Sequence, residues 1–292
     1  MFPILFEIPG LGLPIKSFGL MVVLGFLLGA YVFDRLVARY APDAEQKRAG
    51  YAAVPIWSLI GILIGARVLY VLVEVLQQTP VGQSYIDQPW KVFAYWEGGL
   101  VMYGGAAGAI VGYALCARRH GLPKARTFDL GVVAAFTGLC IGRIGCLLVG
   151  DDYGKIVPPG FENAPFPLVL HVPDPLPKGS LFGAENAGHA LWATQVWMSA
   201  NALMLSWVGA RHLRRRRYGG QTGLLLLLGY SITRGIIECF RGDAVRGLWF
   251  GGRVSTSQLI SVVLGLVCLG LLWRNRGRQD LAPATPLPSS SP

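Results

Sequence analysis

Charged residues are scarce in this chain. They make up 14% of it, against about 25% in an ordinary soluble domain, so a soluble globular protein is excluded and a membrane protein is expected. Cysteine is sparse and unpatterned. Cys116, Cys140, Cys146, Cys239 and Cys268 show no CxxC spacing, which argues against a structural metal site, and an odd count rules out complete intramolecular pairing. The nucleophile motif GxSxG and the zinc motif HExxH are both missing, which removes the soluble-hydrolase readings. His120, His171, His189 and His212 all fall between the apolar runs, so none stands as a general base inside them. No cofactor and no metal is expected. The N-terminus, "MFPILFEIPGLGLPIKS", lacks a basic n-region, an apolar core and a small-residue cleavage site, so it is read as part of the mature protein rather than a signal peptide.

What the chain does contain is long apolar sequence. Seven runs, at 17–38, 52–77, 98–117, 127–149, 190–210, 221–239 and 255–273, each approach the ~20 residues that a helix needs to cross a bilayer. The expected fold is therefore all-α: a polytopic membrane protein with seven transmembrane helices forming a single domain over residues 1–278. Three connections exceed a tight turn, at 78–97, 150–189 and 240–254, the second being a roughly 40-residue loop. The Pro/Ser-rich tail, 279–292, is expected to be disordered. A net charge of +10 raises nucleic acid as a partner, but the basic residues follow the membrane instead. Sixteen gather at four alternate run ends, including "RHLRRRR" at 211–217, and seven lie on the opposite side. The positive-inside rule then places the N-terminus outside, the C-terminus in the cytoplasm and the 150–189 loop outside. As a topology signal alone, "RRRR" is explained, and nucleic acid is excluded.

Three arginines remain within the runs: Arg67, Arg143 and Arg234. Each costs about 2.5–3.5 kcal/mol at mid-membrane even on the lower insertion scales, so a function or tight pairing is implied. Glu238 follows Arg234 by four residues, on the same helix face, and can neutralise it. That leaves a surplus of guanidinium groups in the expected outer half of the bilayer, which suits a phosphate. Membrane phospholipid is the most available source. Arg67 fits either a third phosphate contact or a structural partner for Glu74. Gly104, Gly108 and Gly112 recur every four residues, a small-xxx-small pattern for close helix packing. Gly98 and Gly99 precede them at an expected helix start, where free N–H groups can hold an anion.

Taken in order, "FGLMVVLGFLLG" (18–29), "GARVLYVL" (65–72), "WEGGLVMYGGAAGAI" (96–110), "GRIGCLLVGDDYGK" (142–155), "ATQVW" (193–197), "GYSITRGIIECFRGDA" (229–244) and "STSQLISV" (255–262) resemble the prolipoprotein diacylglyceryl transferases, bacterial integral membrane enzymes. The resemblance implies transfer of the diacylglyceryl group of phosphatidylglycerol to the lipobox cysteine of a prolipoprotein signal peptide, at the outer face of the bacterial inner membrane. Glycerol phosphate would leave. The family's signature arginine matches Arg143, and its arginine and glutamate on the sixth run match Arg234 and Glu238. Arg143 and Arg234 would hold the phosphate as the C–O bond breaks. Arg67, Gly98, Gly99 and Gly104 would lie near the head group, as would Cys146, Gly154 and Arg241. The sequence also departs from the family. Tyr103 stands where the family usually has the histidine of "HGG", Cys146 where it has asparagine, and Met198 where "HPxQLYE" carries its acid. Tyr103 would then hydrogen-bond to phosphate, and Asp151 or Asp152 would accept the thiol proton. The competing expectation is a divergent relative that binds phospholipid without this activity, or uses another acceptor.

Overall fold

The computed structural model describes residues 1–7, 14–243, 247–252 and 254–280. The expected disordered tail lies, from residue 281 onward, outside the described residues. The protein is mostly helical, with long helices in all seven apolar runs: α1 (Ser17–Tyr40), α2 (Arg48–Leu76), then, after a short α3 (Pro80–Asp87), α4 (Met102–Arg119), α5 (Lys124–Val149), α6 (Thr194–His212), α7 (Gln221–Glu238) and α8 (Thr256–Arg274). Four of them, α1, α2, α5 and α8, are long and apolar enough to cross a membrane. In α4, α6 and α7, glycines, polar residues and terminal arginines dilute the apolar character. Large apolar side chains such as Val263 and Leu266 of α8 are exposed, as a lipid-covered surface requires. Beside the helices, the described residues include three short two-stranded antiparallel ladders that the all-α expectation did not contain, β1–β2 (Ile4–Glu7, Pro14–Lys16), β3–β4 (Val169–His171, Ala190–Trp192) and β5–β6 (Leu248–Trp249, Val254–Ser255).

The chain divides into two compact units, residues 1–40 with 128–292, and residues 41–127. In the first, α1 and α5 touch backbone to backbone. A Cβ on Gly25 would come within 2.6 Å of the Gly138 carbonyl oxygen, and one on Gly29 within 3.1 Å of the Ala134 carbonyl oxygen. Helix α7 starts at Gly220, which has no side chain to cap it, and the cap comes from α5 instead. The fully buried Asp129 accepts the Gly220 and Gly223 N–H groups at 2.9 and 2.8 Å and pairs with Arg216 at 2.9 Å. One arginine of the "RRRR" run is thus structural, which the reading of that run as topology alone missed. The 150–189 segment is ordered around two small cores, Val157–Val169–Ala190 and Val172–Phe182–Leu191.

In the second unit, α2 packs on α4 along facing glycines. A Cβ on Gly65 would lie 2.9 Å from Gly108 Cα, and one on Gly104 2.5 Å from Leu69 Cβ. Helix α3 fills part of the 78–97 connection and begins at Thr79, whose hydroxyl accepts the Gly82 N–H at 2.9 Å ahead of Pro80 at the first helical position.

Candidate functional site

Helix α5 carries Arg143 into the interior of the first unit, where the whole residue is only 4% exposed. Helix α7 does the same for Arg234 and Glu238, whose i, i+4 spacing stacks them on one face. Arg234 Nη2 lies 2.8 Å from Glu238 Oε2 and donates to Ser257 Oγ at 3.1 Å. The chain continues past α7 into Arg241, also buried, which grips Asp243 with Nε at 2.8 Å and Nη2 at 2.6 Å and stands 3.6 Å from Glu238 Oε2.

Asp152 joins the two halves. One carboxylate oxygen meets Arg143 Nη1 and the other Arg241 Nη2. Arg143, Asp152, Arg241, Glu238 and Arg234 therefore form one continuous ion-pair chain. The surplus of guanidinium groups expected from the sequence is matched in the structure, because Asp152 and Asp243 supply carboxylates that no helical spacing announces.

Several bonds fix Asp152 in place. Thr194, at the start of α6, donates to its carbonyl at 2.9 Å, and Gln195 Nε2 donates to the Asp151 carbonyl at the same distance. The next residues pair with the stretch after α7: Lys155 N–H reaches the Phe240 carbonyl at 2.8 Å and Gly242 N–H the Tyr153 carbonyl at 3.0 Å. A Cβ on Gly154 would meet Trp192 Cβ at 2.7 Å, so the glycine admits the backbone and side chain of Trp192.

Two of the departures from the family pattern touch the two arginines directly. Cys146 Sγ lies 3.9 Å from Arg143 Nη1, and Met198 Sδ lies 3.7 Å from Arg234 Nη1. Sulfur is a weak acceptor, so both contacts are softer than a carboxylate or amide would make. All five cysteines are free thiols.

The two neighbouring aspartates differ in electrostatics. Burial pushes the Asp151 carboxyl above its ordinary value, and the charge of Asp152 adds to this. Burial also acts to raise Asp152, but Arg143 and Arg241 outweigh it and hold that carboxyl below the usual range. Burial by itself would lower Arg241. Its bonds to Asp243 and the charges of Asp152 and Glu238 reverse this and raise it further.

Arg67, Gly98, Gly99, Tyr103 and Gly104 belong to the second unit. Arg67 is 1% exposed and donates to four backbone carbonyls: Val92 at 2.8 Å, Lys91 at 2.7 Å, Gly98 at 2.6 Å and Gly99 at 3.2 Å. The rings of Tyr70, Tyr85 and Tyr95 surround its guanidinium at 5.3–5.8 Å. Glu74, the structural partner that the sequence offered, is not among the groups these bonds reach. Arg67 organises the 91–99 loop. Gly98 and Gly99 do not open α4 as expected. With φ of +83° and +75° they turn the chain three residues before it and offer carbonyls to Arg67. Gly104 packs against α2, as its spacing implies, and Tyr103 sits in the first turn of α4.

Comparison with known proteins gives a consistent result. Residues 3–274 match the family model described as prolipoprotein diacylglyceryl transferase. Among curated proteins named phosphatidylglycerol–prolipoprotein diacylglyceryl transferase, the one from Beijerinckia indica is 30% identical over 90% of this chain and 90% of its own length. The Rhodospirillum centenum protein is 29% identical over 89% and 87%, and that of Pasteurella multocida 28% over 95% and 94%.

Proposed function

The chain belongs to the prolipoprotein diacylglyceryl transferase family, and we propose from this premise that it moves the diacylglyceryl group of phosphatidylglycerol to the lipobox cysteine of a prolipoprotein signal peptide. It is a transferase of the bacterial inner membrane. The reading adds seven membrane spans, with the N-terminus and the 150–189 segment outside and the C-terminus in the cytoplasm. The reaction then runs at the outer face.

The observation that carries the reading is the ion-pair chain Arg143–Asp152–Arg241–Glu238–Arg234, a concentration of charge of the kind that marks a functional site in a membrane protein. Arg143 and Arg234 hold the phosphate of phosphatidylglycerol, and Glu238 orients Arg234. The acceptor sulfur attacks the glycerol carbon that bears the phosphate. The C–S bond forms as the C–O bond breaks, and glycerol phosphate departs with the bonding electrons, its developing charge met by the guanidinium groups. The thiol proton passes to Asp151 rather than Asp152, because the two arginines keep Asp152 ionised and weakly basic.

Replacing Arg143 with alanine is expected to abolish transfer to a lipobox peptide by the purified protein. Turnover equal to wild type removes the central role of that residue. A second reading, a relative that binds phospholipid without this transfer or with another acceptor, is favoured by one feature: Tyr103 stands at the family's usual histidine. Complementation of a strain lacking its own transferase separates the two, since rescue requires the transfer and lipid binding alone does not provide it.

A further inference from the structure

Among the described residues, Arg143, Arg234 and Arg241 pair with Asp152, Glu238 and Asp243. A lipid phosphodiester entering this place competes with those carboxylates for the guanidinium groups. Asp152 is the one able to leave. Its side chain is 20% exposed, against 11% for Asp243 and 1% for Glu238. Arg241 loses least by its departure, since it keeps the two-point grip on Asp243. Asp152 sits in the left-handed region at φ +54°, which aspartate adopts more readily than most non-glycine residues. Its backbone stays tied through Thr194, so the movement is confined to the side chain.

The two oxygens of Asp152 bridge Arg143 and Arg241 as two oxygens of a phosphate would. We propose that Asp152 is an internal competitor for the anion subsite: its carboxylate yields Arg143, and Arg241 beside it, to the head-group phosphate that Arg143 and Arg234 hold, and retakes them as glycerol phosphate leaves. Asp152 thereby sets the affinity of the site for its substrate and its product. This rests on the reading of Arg143 as a phosphate-holding residue.

The test is calorimetric titration of glycerol phosphate into the purified full-length protein in detergent, comparing wild type, Asp152→Asn, Asp152→Ser and Arg143→Gln. Removing the competitor raises the population of the binding-competent site, so both Asp152 variants are expected to bind about tenfold more tightly. A merely structural Asp152 would do the opposite, because its loss would misplace Arg143. Unchanged or weaker binding in the Asp152 variants, with Arg143→Gln still losing it, overturns the proposal and leaves the phosphate reading standing. Binding that survives Arg143→Gln overturns the phosphate reading itself. Should neither Asp152 variant fold, difference infrared spectra of wild type decide: a carboxylate band that shifts on saturation with glycerol phosphate is expected, and no shift contradicts the displacement.

Discussion

Asp151 and Asp152 are adjacent, yet Asp151 is raised by burial and by its neighbour's charge while Asp152 is lowered by two arginines. As a base, Asp151 must be ionised, and its raised value means that the protonated, inactive form persists above the ordinary carboxylate midpoint of about 4. Turnover should therefore rise with pH through that elevated midpoint and then level off. Asp151→Asn should remove this acid limb and lower kcat about a hundredfold or more; a kcat and pH profile equal to wild type would assign the proton elsewhere. At this scale the sequence was informative where cost or spacing speaks. Arg143 and Arg234 stand out because charge in an apolar run is expensive, and Glu238 because it lies one helical turn from Arg234. The bond from Arg241 to Asp152 joins residues 89 positions apart and leaves no local trace. Arg67 was flagged by the same cost argument, but its partners are backbone carbonyls, which a sequence does not display as acceptors.

Helices α2 and α4 meet at glycines, so their stability depends on the absence of side chains. A Cβ on Gly108 would press on the Gly61 carbonyl and lie 3.0 Å from Gly65 Cα. Gly108→Val should cost about 1–3 kcal/mol through overpacking, read as a lower thermal midpoint in detergent. Gly131 in α5 has nothing within 4 Å of its added Cβ, so Gly131→Ala is the control and should leave stability equal or improved. Equal behaviour of the two variants would mean that the glycine seam is not a packing constraint. The small-xxx-small spacing made this seam legible, and the apolar runs placed each long helix within a few residues. The start of α4 was misplaced because Gly98 and Gly99 read as a helix opening, whereas their left-handed φ values exclude them from it. Two start signals in the sequence were sharper than the reading made of them: Thr79–Pro80 before α3, and Ser255 with Gln258 before α8, a reciprocal capping box at 3.2 and 2.9 Å.

For the molecule as a whole, few charges do several jobs. The sequence reads the excess of arginine as a topology signal, and in the structure Arg216 of that excess holds Asp129 at the start of α7. Apart from Arg67, the remaining buried charge among the described residues is concentrated along the chain from Arg143 to Arg234, with Asp243 beside it, and lipid phosphate chemistry is placed there for that reason. That chemistry does not require the family's usual histidine if Asp151 takes the proton. The decisive measurement is incubation of the purified wild-type protein with phosphatidylglycerol vesicles and a lipobox peptide, followed by mass spectrometry of the peptide and assay of glycerol phosphate. A thioether-linked diacylglyceryl peptide is expected, with one glycerol phosphate released per peptide modified. Phosphatidylglycerol bound without either product would contradict it and leave the protein a lipid-binding relative of its family.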